Sequence, residues 1–242
     1  MERSILYLLF FFGLVSNANG QETSSYSVEE RKLNHFHAVV VTGSNISVEL
    51  SDKSGDISVV SAPERWLKNI KTKVSSDTLF VYMDYKGDPN WKGLLNSAIQ
   101  ARLIIPAQPL LKGITLVEGG QLISASAIKR TTLSVNLSCG GVLKGILNCN
   151  ALYIKMTSGT KMNVSGYVNQ MDINSQGGSV FEGKELLAMH CKAEAYSSSK
   201  ITLNVDETLI ASAVNYSKIY YKSKKNCYIT KMVKQNGLIK NL

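Results

Sequence analysis

The sequence predicts an all-β chain wound as a parallel, right-handed β-helix, a solenoid with coils of about 18–21 residues. The first observation is a repeated turn. Six small-residue corners recur as "EGGQL", "CGGVL", "SGTKM", "QGGSV", "SSSKI" and "NYSKI". Their closing apolar residues, Leu122, Leu143, Met162, Val180, Ile201 and Ile219, follow at steps of 21, 19, 18, 21 and 18. The second observation is alternation before each corner, as in Leu133-Val135-Leu137, Leu152-Ile154-Met156, Met171-Ile173 and Met189-Cys191-Ala193. Apolar residues at every second place make a strand with one buried face. The third is the length of the period. Propeller blades repeat at roughly 40 residues or more, whereas a coil near twenty suits strands that stack on the next coil, about 4.8 Å away.

From the start of the chain, residues 1–20 read as a secretory signal peptide: Glu2 and Arg3, the apolar run Ile5–Val15, then small residues at Ala18 and Gly20. That run is too short to span a membrane, which takes roughly 20 residues. The mature chain of 242 − 20 = 222 residues is expected to be exported, with no transmembrane span. Residues 21–33 form an N-terminal lead-in, and 34–222 form a single solenoid domain. Its first third runs as looser, wider coils through Val39, Val41, Ile46, Val48 and Leu50, then Ile70, Val74, Leu79 and Val81. An insertion near 84–98 carries Trp91 before "ARLIIPAQPLLKGITL" resumes the pattern. Residues 223–242 form a basic C-terminal tail or cap.

The corner residues Gly119, Gly120, Gly140, Gly141, Ser158, Gly159, Gly177 and Gly178 are expected to be structural. Glycine accepts positive φ, and serine hydrogen-bonds the turn backbone. The net charge of +9 gathers towards the end, at Lys218, Lys222, Lys224, Lys225, Lys231, Lys234 and Lys240. It fits an anionic glycan or lipopolysaccharide, or simply a solubilising tail. Cys139, Cys149, Cys191 and Cys227 lack CxxC spacing and sit among small or apolar neighbours, so buried or unpaired thiols are expected; export leaves disulfides open. His35, His37 and His190 are the only histidines, and no metal or cofactor is expected.

Sugar cleavage needs two carboxylates about 5–10 Å apart. Glu182 with Glu185, and Asp206 with Glu207, lie close in sequence but read as solvated connection residues. The outward positions are more suggestive. If Leu152, Ile154 and Met156 point inward, then Tyr153 and Lys155, Asp172 and Asn174, and His190 and Lys192 form an outer ladder on three successive coils. Such a ladder can contact a carbohydrate or a protein, and it can equally be a solvated face. Trp91 is a contact anchor or a cover for the first coils. Sequons at Asn45, Asn136, Asn163 and Asn215 take glycans only in a eukaryotic secretory route.

With these residues in place, the chain resembles the exported head GIN domain proteins of Gram-negative bacteria, described as heads of autotransporter-type adhesins. The resemblance lies in Phe36-x-x-Val39-x-Val41-x-Gly43, in Leu67-x-x-Ile70 through Asp77-x-Leu79, in Leu103-Ile104-Ile105-Pro106 and in the Gly-Ser corners. It covers roughly residues 34–222. The corners at Ser197–Ser199 and Asn215–Ser217 depart from it by lacking glycine. The resemblance implies a β-helix-like fold and residence in the periplasm, on the outer-membrane surface or outside the cell, with no catalytic residues to carry over. The expected function is non-catalytic binding of a glycan, an envelope component or another protein, and not nucleic acid. The alternatives are a polysaccharide lyase or hydrolase, and a structural envelope protein that self-associates through its solenoid ends.

Overall fold

Period-two alternation leaves no choice but strand, and the computed structural model, which describes residues 25–85 and 100–242, is nearly all strand in a parallel β-solenoid of about six turns. Eight short strands come first: β1 (Tyr26–Lys32), β2 (Ala38–Thr42), β3 (Ile46–Ser54), β4 (Ile57–Pro63), β5 (Ile70–Ser75), β6 (Thr78–Met83), β7 (Ala101–Ala107) and β8 (Gly113–Val117). A single helical turn, α1 (Glu64–Leu67), joins β4 to β5. Five long strands follow, each one bent coil: β9 (Gln121–Leu137), β10 (Val142–Met156), β11 (Lys161–Gln176), β12 (Val180–Tyr196) and β13 (Lys200–Val214). β14 (Lys218–Ser223), β15 (Tyr228–Lys234) and β16 (Leu238–Asn241) finish the chain.

Each long strand has a leading arm after a corner and a trailing arm before the next. In β10 the arms are 142–145 and 151–156, and pairing with β9 shifts register at Gly145/Ile146. Leading arms pair only with leading arms and trailing arms with trailing arms, in parallel. Like positions therefore stack. Leu122, Leu143, Met162, Phe181, Ile201, Ile219 and Ile239 form one inward column. Its first six members are buried. The fourth member is Phe181, not the expected Val180, and the steps become 21, 19, 19, 20, 18 and 20. The Phe181 ring lies over Gly183, where an added Cβ would come within 2.4 Å of it. Ala193 and Ala195, on the trailing arm of the same strand, are also buried.

The corners are built from pairs of left-handed residues: Glu118–Gly119, Cys139–Gly140, Ser158–Gly159, Gly177–Gly178, Ser197–Ser198, Asn215–Tyr216 and Gln235–Asn236. Two consecutive positive φ values close each turn as type I′. The second residue of a pair then donates its N–H to the first residue's carbonyl one coil on. Gly119 thus donates to Cys139, Gly140 to Ser158, Gly159 to Gly177, Gly178 to Ser197, Ser198 to Asn215 and Tyr216 to Gln235, at 2.9–3.0 Å. No corner backbone group needs a glycine for this bond, which is why the glycine-free corners hold the same register.

Gly120 and Gly141 play a different part from the one expected. Neither has positive φ. They occupy the next column, where the chain turns inward against the preceding coil. A Cβ on Gly120 would stand 2.4 Å from the Val41 carbonyl oxygen, and one on Gly141 2.6 Å from that of Leu116. Farther along, the column widens to admit Thr160, Ser179, Ser199 and Ser217, all buried, and the Thr160 hydroxyl donates to Ser179 Oγ at 3.1 Å.

The N-terminal third departs from the expected run of wider coils. β2 and β3 form a coil that lies between the β6–β7 coil and the β8–β9 coil: β2 pairs with both β6 and β8, and β3 with both β7 and β9, all in parallel. Beyond β6 and β7 the sheet turns antiparallel, with β5 on β6 and β4 on β7. α1 joins β4 to β5 and buries Trp66, while β1 adds antiparallel to β4. Arg31 fastens β1 to this cap through Ile70 O (2.6 Å) and Leu67 O (3.1 Å). The lead-in at 26–32 is thus part of the sheet. At the other end, the segment expected as a basic tail or cap continues the winding, with β15 parallel to β13 and β16 parallel to β14.

Candidate site on the outer wall of the trailing arms

Outward residues on the trailing arms stand in columns set by the parallel register, about 4.8 Å apart. One column reads Ser134, Tyr153, Asp172, Lys192, Ile210 and Thr230. Its neighbour reads Asn136, Lys155, Asn174, Glu194, Ser212 and Met232. Five of the six expected ladder residues stand in these two columns. His190 does not: it is opposite Gln170, one pair back along the strand. An extra residue between Glu182 and Glu185 bulges β12, as the pairing of Asn163 with Glu182 and Ser165 with Glu185 shows, and it moves everything after it by one place. The residue that completes the ladder beside Lys192 is Glu194.

The C-terminal part of the ladder is tied to itself. Asn174 Nδ2 donates to Glu194 Oε2 at 3.2 Å, and Lys192 Nζ reaches Glu194 Oε1 at 3.0 Å. Its hydrogen bond and charge attraction to Glu194, with Asp172 adding to them, hold the Lys192 ammonium above the usual lysine range. His190 Nε2 lies 3.4 Å from Glu207 Oε2, and its Nδ1 lies 3.3 Å from Thr208 Oγ1. Tyr153 and Lys155 have no side-chain partner among the described residues and stand exposed.

Followed towards the N-terminal end, the same wall changes character. The Lys155 column continues through Asn136, Thr115 and Val40 to Phe80 on β6. Phe80 and Tyr82 both point outward and are about one-third exposed. A cleft of about 550 Å³ opens there, lined by Thr42, Ser44, Phe80, Tyr82, Tyr85 and Glu118 among others. Burial, with the Glu118 carboxylate adding to it, pushes the Tyr85 phenol up. Sequence reasoning passed over these aromatics because "TLFVYM" reads as one apolar run; the signal was that both alternating sets were apolar, Leu79, Val81 and Met83 inward and Phe80 and Tyr82 outward. Trp91 and the insertion near 84–98 fall almost wholly outside the described residues, as does the 1–20 leader.

The remaining sequence candidates take structural places. Glu182 pairs with Lys200 at 2.7 Å, Asp206 with Lys224 at 2.6 Å and Glu207 with His190. Among the described residues no three His, Cys, Asp or Glu side chains gather as metal ligands, and no helix is long and apolar enough to cross a membrane. The four cysteines are unpaired thiols, Cys149 and Cys191 buried and Cys139 exposed at its corner. Burial pushes the Cys191 thiol far up, with Asp172 and Cys227 adding to it, so it stays protonated.

Parallel coils stacked in register define the class: a β-solenoid. The family model described as "Putative auto-transporter adhesin, head GIN domain" matches residues 35–224, and the chain belongs to that family. Solved structures share the fold. A putative adhesin from Bacteroides fragilis aligns with a TM-score of 0.76 at 20% identity, covering 91% of this chain and 98% of that one. A putative adhesin from Parabacteroides merdae aligns at 0.63 and 12% identity, covering 91% and 97%. A structure from Parabacteroides distasonis described as a putative lipid binding protein aligns at 0.62 and 18% identity, covering 91% and 98%. No curated protein matches the chain.

Proposed function

We propose that this protein is a non-catalytic, exported binding module of the cell envelope, and that its outer trailing-arm wall contacts a glycan or a partner protein. The observation that carries this reading is the pair of in-register columns, Tyr153, Asp172 and Lys192 beside Lys155 and Asn174, held at fixed spacing on rigid strands. A backbone already fixed in stacked strands loses little freedom when it binds, which favours recognition of a repeating ligand. Membership of an adhesin family and the likeness to adhesin-labelled folds support a binding role. Of the acids a sugar-cleaving enzyme would draw on, Glu182, Asp206 and Glu207 are paired with Lys200, Lys224 and His190. The test is a glycan array probed with the full chain and with Tyr153→Ala/Lys192→Ala. Binding that the double variant loses is expected. An array with no binding at all would overturn the glycan reading and favour a structural role.

A further inference from the structure

We propose that the cleft beside Phe80 and Tyr82 is a sugar-stacking subsite for an acidic oligosaccharide, continuous with the ladder at Tyr153 and Lys155. The proposal rests on the reading of this wall as a glycan-contacting surface and places its strongest contact where no sequence motif pointed. Three observations carry it. First, Phe80 and Tyr82 are two residues apart on one strand, so both rings project from the same face over a floor of Val40 and Thr42 on the paired strand. Aromatic faces with a polar tip bind the apolar face of a pyranose while hydroxyls are met at the rim. Ser44, Tyr85 and the Glu118 carboxylate supply that rim.

Second, charge on this part of the wall is positive. In the antiparallel pair of β5 and β6, Lys73 stands opposite Phe80 and Lys71 opposite Tyr82, on the same outward face. Both are exposed. Lys71 donates to the Lys68 carbonyl at 2.7 Å, and Lys73 has no partner among the described residues. They make a cationic border along one side of the aromatic floor, and Lys155 adds a further ammonium at the far end of the same wall. Glu118, the one acid among the described residues lining the cleft, sits on the corner at its edge. A sugar chain bearing carboxylates fits this pattern better than a neutral one, because each ring can stack while its acid meets an ammonium.

Third, the span is continuous. From Phe80 to Lys155 the wall crosses four strand steps, about 19 Å at 4.8 Å each, through Val40, Thr115 and Asn136. No acid interrupts that column. An oligosaccharide lying across the strands would meet stacked aromatics at one end and Tyr153 at the other.

Calorimetric titration of the full chain tests this, with hexagalacturonate as the acidic probe and maltohexaose as its neutral match. The expected result is binding of hexagalacturonate that weakens about tenfold or more in Phe80→Ala/Tyr82→Ala and is kept in Tyr82→Phe. Lys71→Ser/Lys73→Ser should bring the two probes to equal affinity. Urea midpoints of each variant show that the fold is retained, as exposed positions lead one to expect. Hexagalacturonate that fails to bind, or binds Phe80→Ala/Tyr82→Ala as well as the parent, overturns the subsite. If that double variant binds normally while Tyr153→Ala/Lys192→Ala does not, the subsite falls and the ladder stands. The reverse pattern supports the subsite and removes the ladder.

Discussion

At its N-terminal end the solenoid reverses strand direction, adds β5 and β4 antiparallel, lays α1 across them with Trp66 buried, and fastens the arrangement with Arg31. At its C-terminal end β15 and β16 are simply the last coil. Tyr228 is 70% exposed and Val233 50%, and none of the described residues covers the edge. At the N-terminal end antiparallel strands and a helix cover the apolar core, and the parallel register that another coil would extend is interrupted. The open end is guarded differently. No Asp or Glu follows Glu207, while seven lysines do. One of them, Lys231, takes the inward column above Ala211 and rests 4.8 Å over the Tyr221 ring. A charge on the inward face makes further stacking costly, and like-charged copies repel. One end is therefore closed by structure and the other by charge.

The contrast can be broken from either side. The largest effect is expected from Trp66→Ala, which empties the cap and should cost about 3 kcal/mol in urea unfolding. Next, Gly120→Ala drives a Cβ to 2.4 Å from the Val41 carbonyl oxygen and should cost about 2 kcal/mol. Gly159→Ala meets nothing within 4 Å and strains only its positive φ, so about 1 kcal/mol is expected. Lys231→Leu should leave the unfolding midpoint nearly unchanged or raise it. It should, however, give larger species than the parent protein by light scattering, since the guard on the open edge is gone. The smallest change is Tyr216→Gly, which relieves a left-handed tyrosine and should stabilise by about 0.5 kcal/mol after the entropy glycine loses.

How much of this was readable beforehand differs by feature. Alternation and a period near twenty gave the solenoid, because buried columns constrain residue type at every coil. The corner alignment slipped by one residue in the fourth copy for a definite reason. In "EGGQL" and "CGGVL" the Gly-Gly pair supplies the second left-handed residue and the tight inward position, whereas in "QGGSV" it supplies both left-handed residues. Identical dipeptides sit in different phases, so matching letters selected Val180 over Phe181. The seventh corner, Gln235–Asn236, was hidden because its column position is recognisable only once the register is known. The antiparallel cap was invisible because strands alternate alike in either direction, and β2–β3 slotting between later coils is a long-range fact. At the site, five ladder residues were found from inward–outward parity alone. His190 was misplaced by the β12 bulge, and Phe80 and Tyr82 were lost inside an apolar run.

Site-resolved amide exchange on the corner ladder tests the account most directly. The donors Gly119, Gly140, Gly159, Gly178, Ser198 and Tyr216 make the same bond in successive coils, so differences among them report only how well each end is closed. Protection should fall towards the C-terminal end, with Tyr216 exchanging at least about tenfold faster than Gly140. Equal protection along the ladder, or a Tyr216 amide slower than Gly140, would contradict a solenoid whose two ends are closed by such different means.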